Sequence, residues 1–341
     1  MAEIDQTTHT LLAGPRRNRS IDTLELQRDD SGAVVSSIRL GKSEQGFDTI
    51  EPVAAVISTL DRWSTDHGVA LQSAIVTVRQ RQDSRHTSVL ARLETALGPV
   101  LIGTATAADP TELSDAPSLA PPKMPNRLDE PPTDWARLPL CLRPEVAAVL
   151  IAGAGFSLLS AKGTSTRQTM TGRKLLPGLT LTEVPLWPAE GTPNDLGGMA
   201  AAVELIDNGR VLAPDPAPRR VWNHDLGTTV APPITGWRLT GPKAMEPPRY
   251  IELLHCVEGL QRYHSRGNVR LTCLARESEH GTWFSLTLTG RPIHLLRHAM
   301  GITGTVSTVY TDAEVTTSTV LLPSAETLNK KDRDVITVSQ P

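Results

Sequence analysis

Aromatic residues are scarce in this chain of 341 residues: Phe, Trp and Tyr together make up 4%. A core without them is filled by Val, Leu, Ile and Ala, and 27 prolines and 25 glycines cut the chain into short pieces joined by turns. Cysteine is nearly absent. Cys141, Cys256 and Cys273 are odd in number and widely spaced, which leaves no disulfide framework and no CxxC zinc pattern, only buried structural thiols. There is no excess of positive charge either: 34 Lys and Arg stand against 37 Asp and Glu, for a net charge of −3. Duplex binding needs several clustered phosphate contacts, so nucleic acid is not an expected partner. Long apolar runs are missing as well. The longest, residues 146–159, is interrupted by glycines and is shorter than the roughly 20 residues that span a bilayer. The first twenty residues, "MAEIDQTTHTLLAGPRRNRS", lack the apolar centre of a secretory signal. A cytoplasmic protein with no membrane partner is the expectation. A hydrophobic content of 39% and a charged content of 21% are those of a globular chain with a substantial core.

Periodicity divides what is present. Residues 1–20 are polar and read as a flexible N-terminus. "TLELQR" and "AVVSSIRLGK" alternate as strands do, with "DDSG" between them as a turn. "EPVAAVISTLDRWSTD", residues 51–66, places Val53, Val56, Ile57, Leu60 and Trp63 on one helical face, with Pro52 in the first turn. Further strands follow in "SAIVTVRQRQ" and "SVLARLETALGPVLIGTATA", so residues 21–108 read as a small α+β domain. Residues 109–137 are rich in proline and acid, have no periodicity, and read as a linker. A second domain, 138–328, is mainly antiparallel β and barrel-like, with a few helices, and a tail covers 329–341. "LIDNGRVL" signals a hairpin, because Asn208 and Gly209 tolerate the positive φ angles of a tight turn. "PPRYIELLHCVEGLQRY" reads as that domain's clearest helix, with Tyr250, Leu253, Leu254, Val257 and Leu260 on one side.

No motif here yields an active site. In "VLIAGAGFSLLSAKGTS" the pair Gly153 and Gly155 suggests a dinucleotide-binding turn. The third small residue is missing, because Leu158 stands there, and no Asp or Glu occurs between Gly155 and Glu183 to hold a ribose. Lys162 is followed by Gly163, which breaks the order of a phosphate loop. His294 and His298 share one helical face but have no glutamate between them. Ser157 lacks the second glycine of a nucleophile elbow. "RESEH", residues 276–280, reads as a solvated turn.

Laid out in order, the second half resembles the C-terminal domain of the TldD/TldE (PmbA) peptidase family. The likeness runs through "RPEVAAVLIAGAGFSLLSAKGTSTRQTMTGRKLLPGLTLTEVPLWP", "EGTPNDLGGMAAAVELIDNGRVL", "PPRYIELLHCVEGLQRY" and "GRPIHLLRHAMGITGTVSTVYTDAEVTTSTVLLPS". Catalytic subunits of the family carry H-E-x-x-x-H on a helix, with a later cysteine as a further zinc ligand. Matching the glycines puts Ile151 and Ala152 where His and Glu belong, and Phe156 where the second His belongs. None of the three can ligate Zn²⁺ or activate water. The resemblance therefore implies a non-catalytic, TldE-like subunit with no metal or other cofactor in this chain, zinc being held by a TldD-like partner in a heterodimer. It also implies an extended peptide as substrate, with Gly163, Thr164, Ser165, Asn208 and Gly209 as candidate peptide-binding or interface positions. Two other readings stay open: a stand-alone peptide-binding or scaffold protein, and a nucleotide-dependent enzyme built on Gly153 and Gly155.

Overall fold

A computed structural model of the chain describes residues 4–13, 19–28, 34–43, 65, 70–81, 84–95, 97–106, 125, 127–159, 170–184, 202–213, 221–223, 228–230, 236–258, 269–310, 314–331 and 336–340. The first sheet is antiparallel and six-stranded, in the order β3-β2-β1-β4-β5-β6. Its strands are β1 (Ile4–Ala13), β2 (Arg19–Arg28), β3 (Val34–Ser43), β4 (Ala70–Arg81), β5 (Ser84–Thr95) and β6 (Gly98–Thr106). The expected strands of this half are all present. The expectation of a flexible stretch over residues 1–20 gives way: β1 is an inner strand, hydrogen-bonded to β2 on one edge and β4 on the other. A polar strand holds such a place because ladder bonds use the backbone, which every residue supplies. The helix expected over residues 51–66 lies outside the described residues except for Thr65, which is helical.

The second half opens with a short 3₁₀ turn (Trp135–Arg137), then β7 (Leu140–Leu142), α1 (Pro144–Leu159), β8 (Thr180–Val184), β9 (Val203–Asp207) and β10 (Arg210–Val211). A separate small ribbon pairs β11 (Val221–Asn223) with β12 (Thr228–Val230). There follow β13 (Gly236–Thr240), β14 (Ile251–Glu258), β15 (Val269–Glu277), β16 (Trp283–Gly290), α2 (Pro292–Arg297), β17 (Gly301–Tyr310), β18 (Glu314–Leu322), α3 (Ala325–Lys331) and β19 (Ile336–Ser339). Eleven of these strands form one sheet in the order β10-β9-β8-β13-β18-β7-β14-β15-β16-β19, with β17 also on β18.

The barrel expectation is not met: the sheet is open and mixed. β13 runs parallel to β18, and β7 parallel to β14, so it is not purely antiparallel. Its centre is a fork. β17 pairs with residues 314–321 of β18, while β13 takes 314–316 and β7 takes 320–322. One strand thus joins two arms, β13-β8-β9-β10 and β7-β14-β15-β16-β19. The segment expected as the clearest helix is β14, an inner strand between β7 and β15. Shifts of register between Leu253 and His255 and between Cys256 and Glu258 break its alternation, which left a helix-like spacing in the sequence.

α1 is the core of this half. Val146, Ala147, Ala148, Leu150, Ile151, Ala152, Ala154 and Leu158 are each 1% exposed or less, on every side of the helix. A helix that is apolar all round is a buried one. Two glycines two residues apart point nearly opposite ways at about 100° per residue, and each admits a different neighbour. A Cβ on Gly155 would stand 2.6 Å from Trp237 Cε2 of β13, and one on Gly153 would stand 2.9 Å from Pro292 Cγ and 3.3 Å from Val269 Cγ1. The helix is therefore wedged between the arms of the fork. This also disposes of the nucleotide reading of Gly153 and Gly155. Both lie inside a helix that begins at Pro144, not in a turn between strand and helix whose free N–H groups face a phosphate. No helix among the described residues is long and apolar enough to cross a membrane.

Candidate functional site

Three places among the described residues bear on function, and the first is where the resemblance sets a metal. Ile151 and Ala152 are hydrocarbon side chains at 0% and 1% exposure. Gly155 beside them is sealed by the Trp237 ring. The backbone of Phe156 continues the helix. The hydroxyl of Ser157, further along the helix, donates to the Ala154 carbonyl at 2.8 Å. These residues do not fit a metal ion: the helix offers core packing where ligands would be required.

The second is a pair of ion clusters at the ends and face of β14 and β15. Glu252 is 3% exposed and sits between two guanidinium groups. Arg143 donates from Nε at 2.9 Å and Arg276 from Nε at 3.0 Å. Arg143 also reaches Glu246 at 3.4 Å and Thr319 Oγ1 at 3.3 Å, and Arg276 lies 5.5 Å from the centre of the Trp283 ring. A buried carboxylate held by two forks is saturated, and removing either partner would leave charge uncompensated. Glu277 behaves alike. It is 0% exposed and accepts from Arg249 Nε at 2.9 Å and from the backbone N–H groups of Glu279 and His280 at 3.1 and 2.6 Å. Burial alone would raise its pKa, but the donors of His280, Arg249 and Glu279 outweigh it and hold the carboxyl at about 2. "RESEH" is thus only half a solvated turn: Glu277 closes β15 and is fully covered. Arg249 also binds Asp134 at 2.6 Å, which clips the residues before β7 to the sheet.

Glu277, Glu279 and His280 are the one group of potential metal ligands that meets among the described residues, within 4.8 Å of one another. The Glu277 oxygens are already occupied by those donors. Among the described residues, the other histidines and cysteines of this half are not gathered with them. His255 is buried on β14, its Nδ1 without a hydrogen-bond partner, and burial pushes its pKa down to about 4. Cys256 faces Cys273 across the β14–β15 ladder, and both are buried. Cys141 is buried on β7, where burial raises its thiol to about 12. Inert structural thiols were the expectation from sequence.

The third place is a cavity of about 310 Å³ lined by Met170, Arg173, Lys174, Leu175, Ile293, His294 and Arg297. Residues 170–175 lie between α1 and β8, and Ile293, His294 and Arg297 come from α2. Met170, Leu175 and Ile293 are buried and form its floor; Arg173, Lys174 and Arg297 are exposed at its rim. His294 lies on the helix and His298 is its C-cap, with φ −90° and ψ 0°; both are half-buried.

The candidate peptide positions divide in two. Gly163, Thr164 and Ser165 lie outside the described residues. Asn208 and Gly209 form the expected hairpin turn, with φ of 43° and 73°. Their polar groups are engaged within the chain: Asn208 Oδ1 accepts from Gly178 N at 2.8 Å, Gly209 N donates to Leu179 O at 2.7 Å, and Leu175 N donates to Gly209 O at 2.6 Å. A Cβ on Gly209 would meet Leu176 O at 2.3 Å. The hairpin therefore fastens the 175–179 loop, and with it one wall of the cavity. Sequence reasoning had not picked out the cavity.

No protein-family model matches the chain, and no curated protein matches its sequence. Among solved structures the chain is similar to TldE from Thermococcus kodakarensis, with a TM-score of 0.57 at 11% identity over 94% of each chain. At that identity the likeness establishes a TldE-like fold, and it runs through both halves.

Proposed function

We propose that this chain is a non-catalytic, TldE-like subunit of a heterodimeric zinc metallopeptidase that cleaves peptides or the leader segments of modified peptide precursors. It completes the chamber and helps to hold the extended peptide, while a TldD-like partner holds the zinc and performs hydrolysis. The observation that carries the reading is the TldE-like fold over 94% of the chain. The packing of Ile151 and Ala152, two of the three positions matched to the metal motif, supports it, and Trp237 closes the helix at the neighbouring Gly155. Main-chain pairing along a sheet edge is a physically sound grip for a peptide, because it accepts varied side chains.

Co-expression with a TldD-like chain from the same genome is the test. The expected result is a 1:1 complex on size exclusion, with zinc and peptidase activity in the complex. Stoichiometric zinc and turnover in the purified chain alone would refute the reading. A stand-alone peptide-binding protein is the second reading, favoured by the cavity beside α2; a stable chain that ignores every TldD-like protein yet binds peptide would establish it instead.

A further inference from the structure

The cavity between residues 170–175 and α2 combines two features that constrain its occupant. Its rim carries Arg173, Lys174 and Arg297, and among the described residues no carboxylate pairs with any of them. Among the described residues of this half, the half-buried cations are matched: Arg143 and Arg276 hold Glu252, and Arg249 holds Glu277 and Asp134. Three like charges around one opening repel one another, and an anion seated among them removes that repulsion. Two of the three are arginines, whose planar forks suit a carboxylate. The floor, however, is Met170, Leu175 and Ile293, all buried. A bare hydrated anion would leave that apolar wall wet. A volume of about 310 Å³ is at the small end of ligand sites, enough for one compact group and not for an extended cofactor.

We infer that this cavity binds the C-terminal carboxylate of a peptide whose last residue is apolar, with Arg173 and Arg297 on the carboxylate and Met170, Leu175 and Ile293 around the side chain. In such a residue the charge and the apolar group branch from one carbon, which matches a small cavity lined by both exposed cations and buried apolar side chains. Asp and Glu side chains carry the charge on one or two methylenes and lack that apolar branch. The inference deepens the peptide reading above by naming which end of the peptide this chain holds, and Lys174 adds long-range attraction at the mouth.

Isothermal titration of the purified full-length chain with N-acetyl-Leu-Leu as the free acid and as the C-terminal amide tests it. The acid is expected to bind at least tenfold tighter, and the difference to vanish in the double variant Arg173→Gln/Arg297→Gln. Arg270→Gln, an exposed change on β15, should leave it intact. Circular dichroism melts confirm that the double variant is folded, and Arg297→Lys, which keeps the charge, should retain part of the discrimination. Equal affinity for acid and amide, or discrimination that survives in the double variant, would overturn the inference. So would inorganic phosphate competing as well as the peptide acid, or octanoate binding more tightly than it, because the site would then serve anions at large or fatty acids. Failure to pair with a TldD-like chain leaves this titration readable, so the two proposals fall separately.

Discussion

Replacing Gly155 by alanine sets two effects of known size against each other. In a helix interior alanine is favoured over glycine by about 1 kcal/mol. At Gly155 the added methyl would stand 2.6 Å from Trp237 Cε2 and 2.7 Å from Cδ2 and Cε3. Carbon atoms in contact normally stay about 3.5–4.0 Å apart, so helix and ring must part by roughly 1 Å. Neither gives easily: Trp237 is 0% exposed, and α1 is packed on all sides. Overpacking of this kind costs about 1–3 kcal/mol, occasionally more. With both sides fixed, the upper half of that range applies, and after the helix gain the net expectation for Gly155→Ala is a loss of about 1–2 kcal/mol. Gly153→Ala is the internal control. Its methyl would meet Pro292 Cγ at 2.9 Å and Val269 Cγ1 at 3.3 Å, so a shift of about half an ångström relieves it and the helix gain offsets most of the cost. Urea unfolding followed by far-ultraviolet circular dichroism should rank the midpoints as wild type and Gly153→Ala close together, with Gly155→Ala clearly lower. Adding Trp237→Leu should shrink the penalty at position 155, a coupling that only direct contact produces. A Gly155→Ala chain as stable as the wild type, or less damaged than Gly153→Ala, would refute the wedge.

Other perturbations test other parts of the fold. Gly209→Ala combines a φ of 73° with a contact 2.3 Å from Leu176 O, and should cost about 2–3 kcal/mol while weakening peptide-acid binding through the loop it fastens. His255 is buried neutral with its pKa lowered to about 4, whereas an unfolded chain takes up the proton near 6.5; stability should fall as pH drops from about 6.5 to 4, and His255→Leu should flatten that slope in pH-dependent urea midpoints. Cys141 is raised to about 12 and Cys273 is raised as well, so an aromatic disulfide reagent at pH 8 should label neither until the chain unfolds, and stability should decline above about pH 9, where only unfolded thiols ionise.

Local chemistry was legible in the sequence, and long-range chemistry was not. The turn at Asn208 and Gly209 could be read because two adjacent residues suffice to define it. β15 to β18 could be read because alternation or apolar runs of the right length survive in them. β14 was misread because an inner strand is covered on both faces, and its two register shifts replace alternation with a spacing close to that of a helix. β1 was missed because its place is set by its neighbours and not by its polar sequence. β7 is three residues long, too short to announce itself, yet it carries the second arm of the fork. The cavity joins residues about 120 positions apart, Met170 to Leu175 with Ile293 to Arg297, and no local pattern announces such a meeting.

The fork at β18 also sets an order of events at the ribosome. β7 and β13 emerge well before residues 314–322, the strand that joins them, so until then each arm presents an unfilled edge. Domains made first can fold first, and the strand pairing of the six-stranded sheet is complete by residue 106. The second sheet is different: its two arms cannot be hydrogen-bonded into one until residues 314–322 are released. Until then its arms are strand edges of the kind that pair with wrong partners. The chain thus depends on β18 as the seam between its arms, and a premature stop shortly before it would leave two half-sheets packed on α1 with no strand to join them.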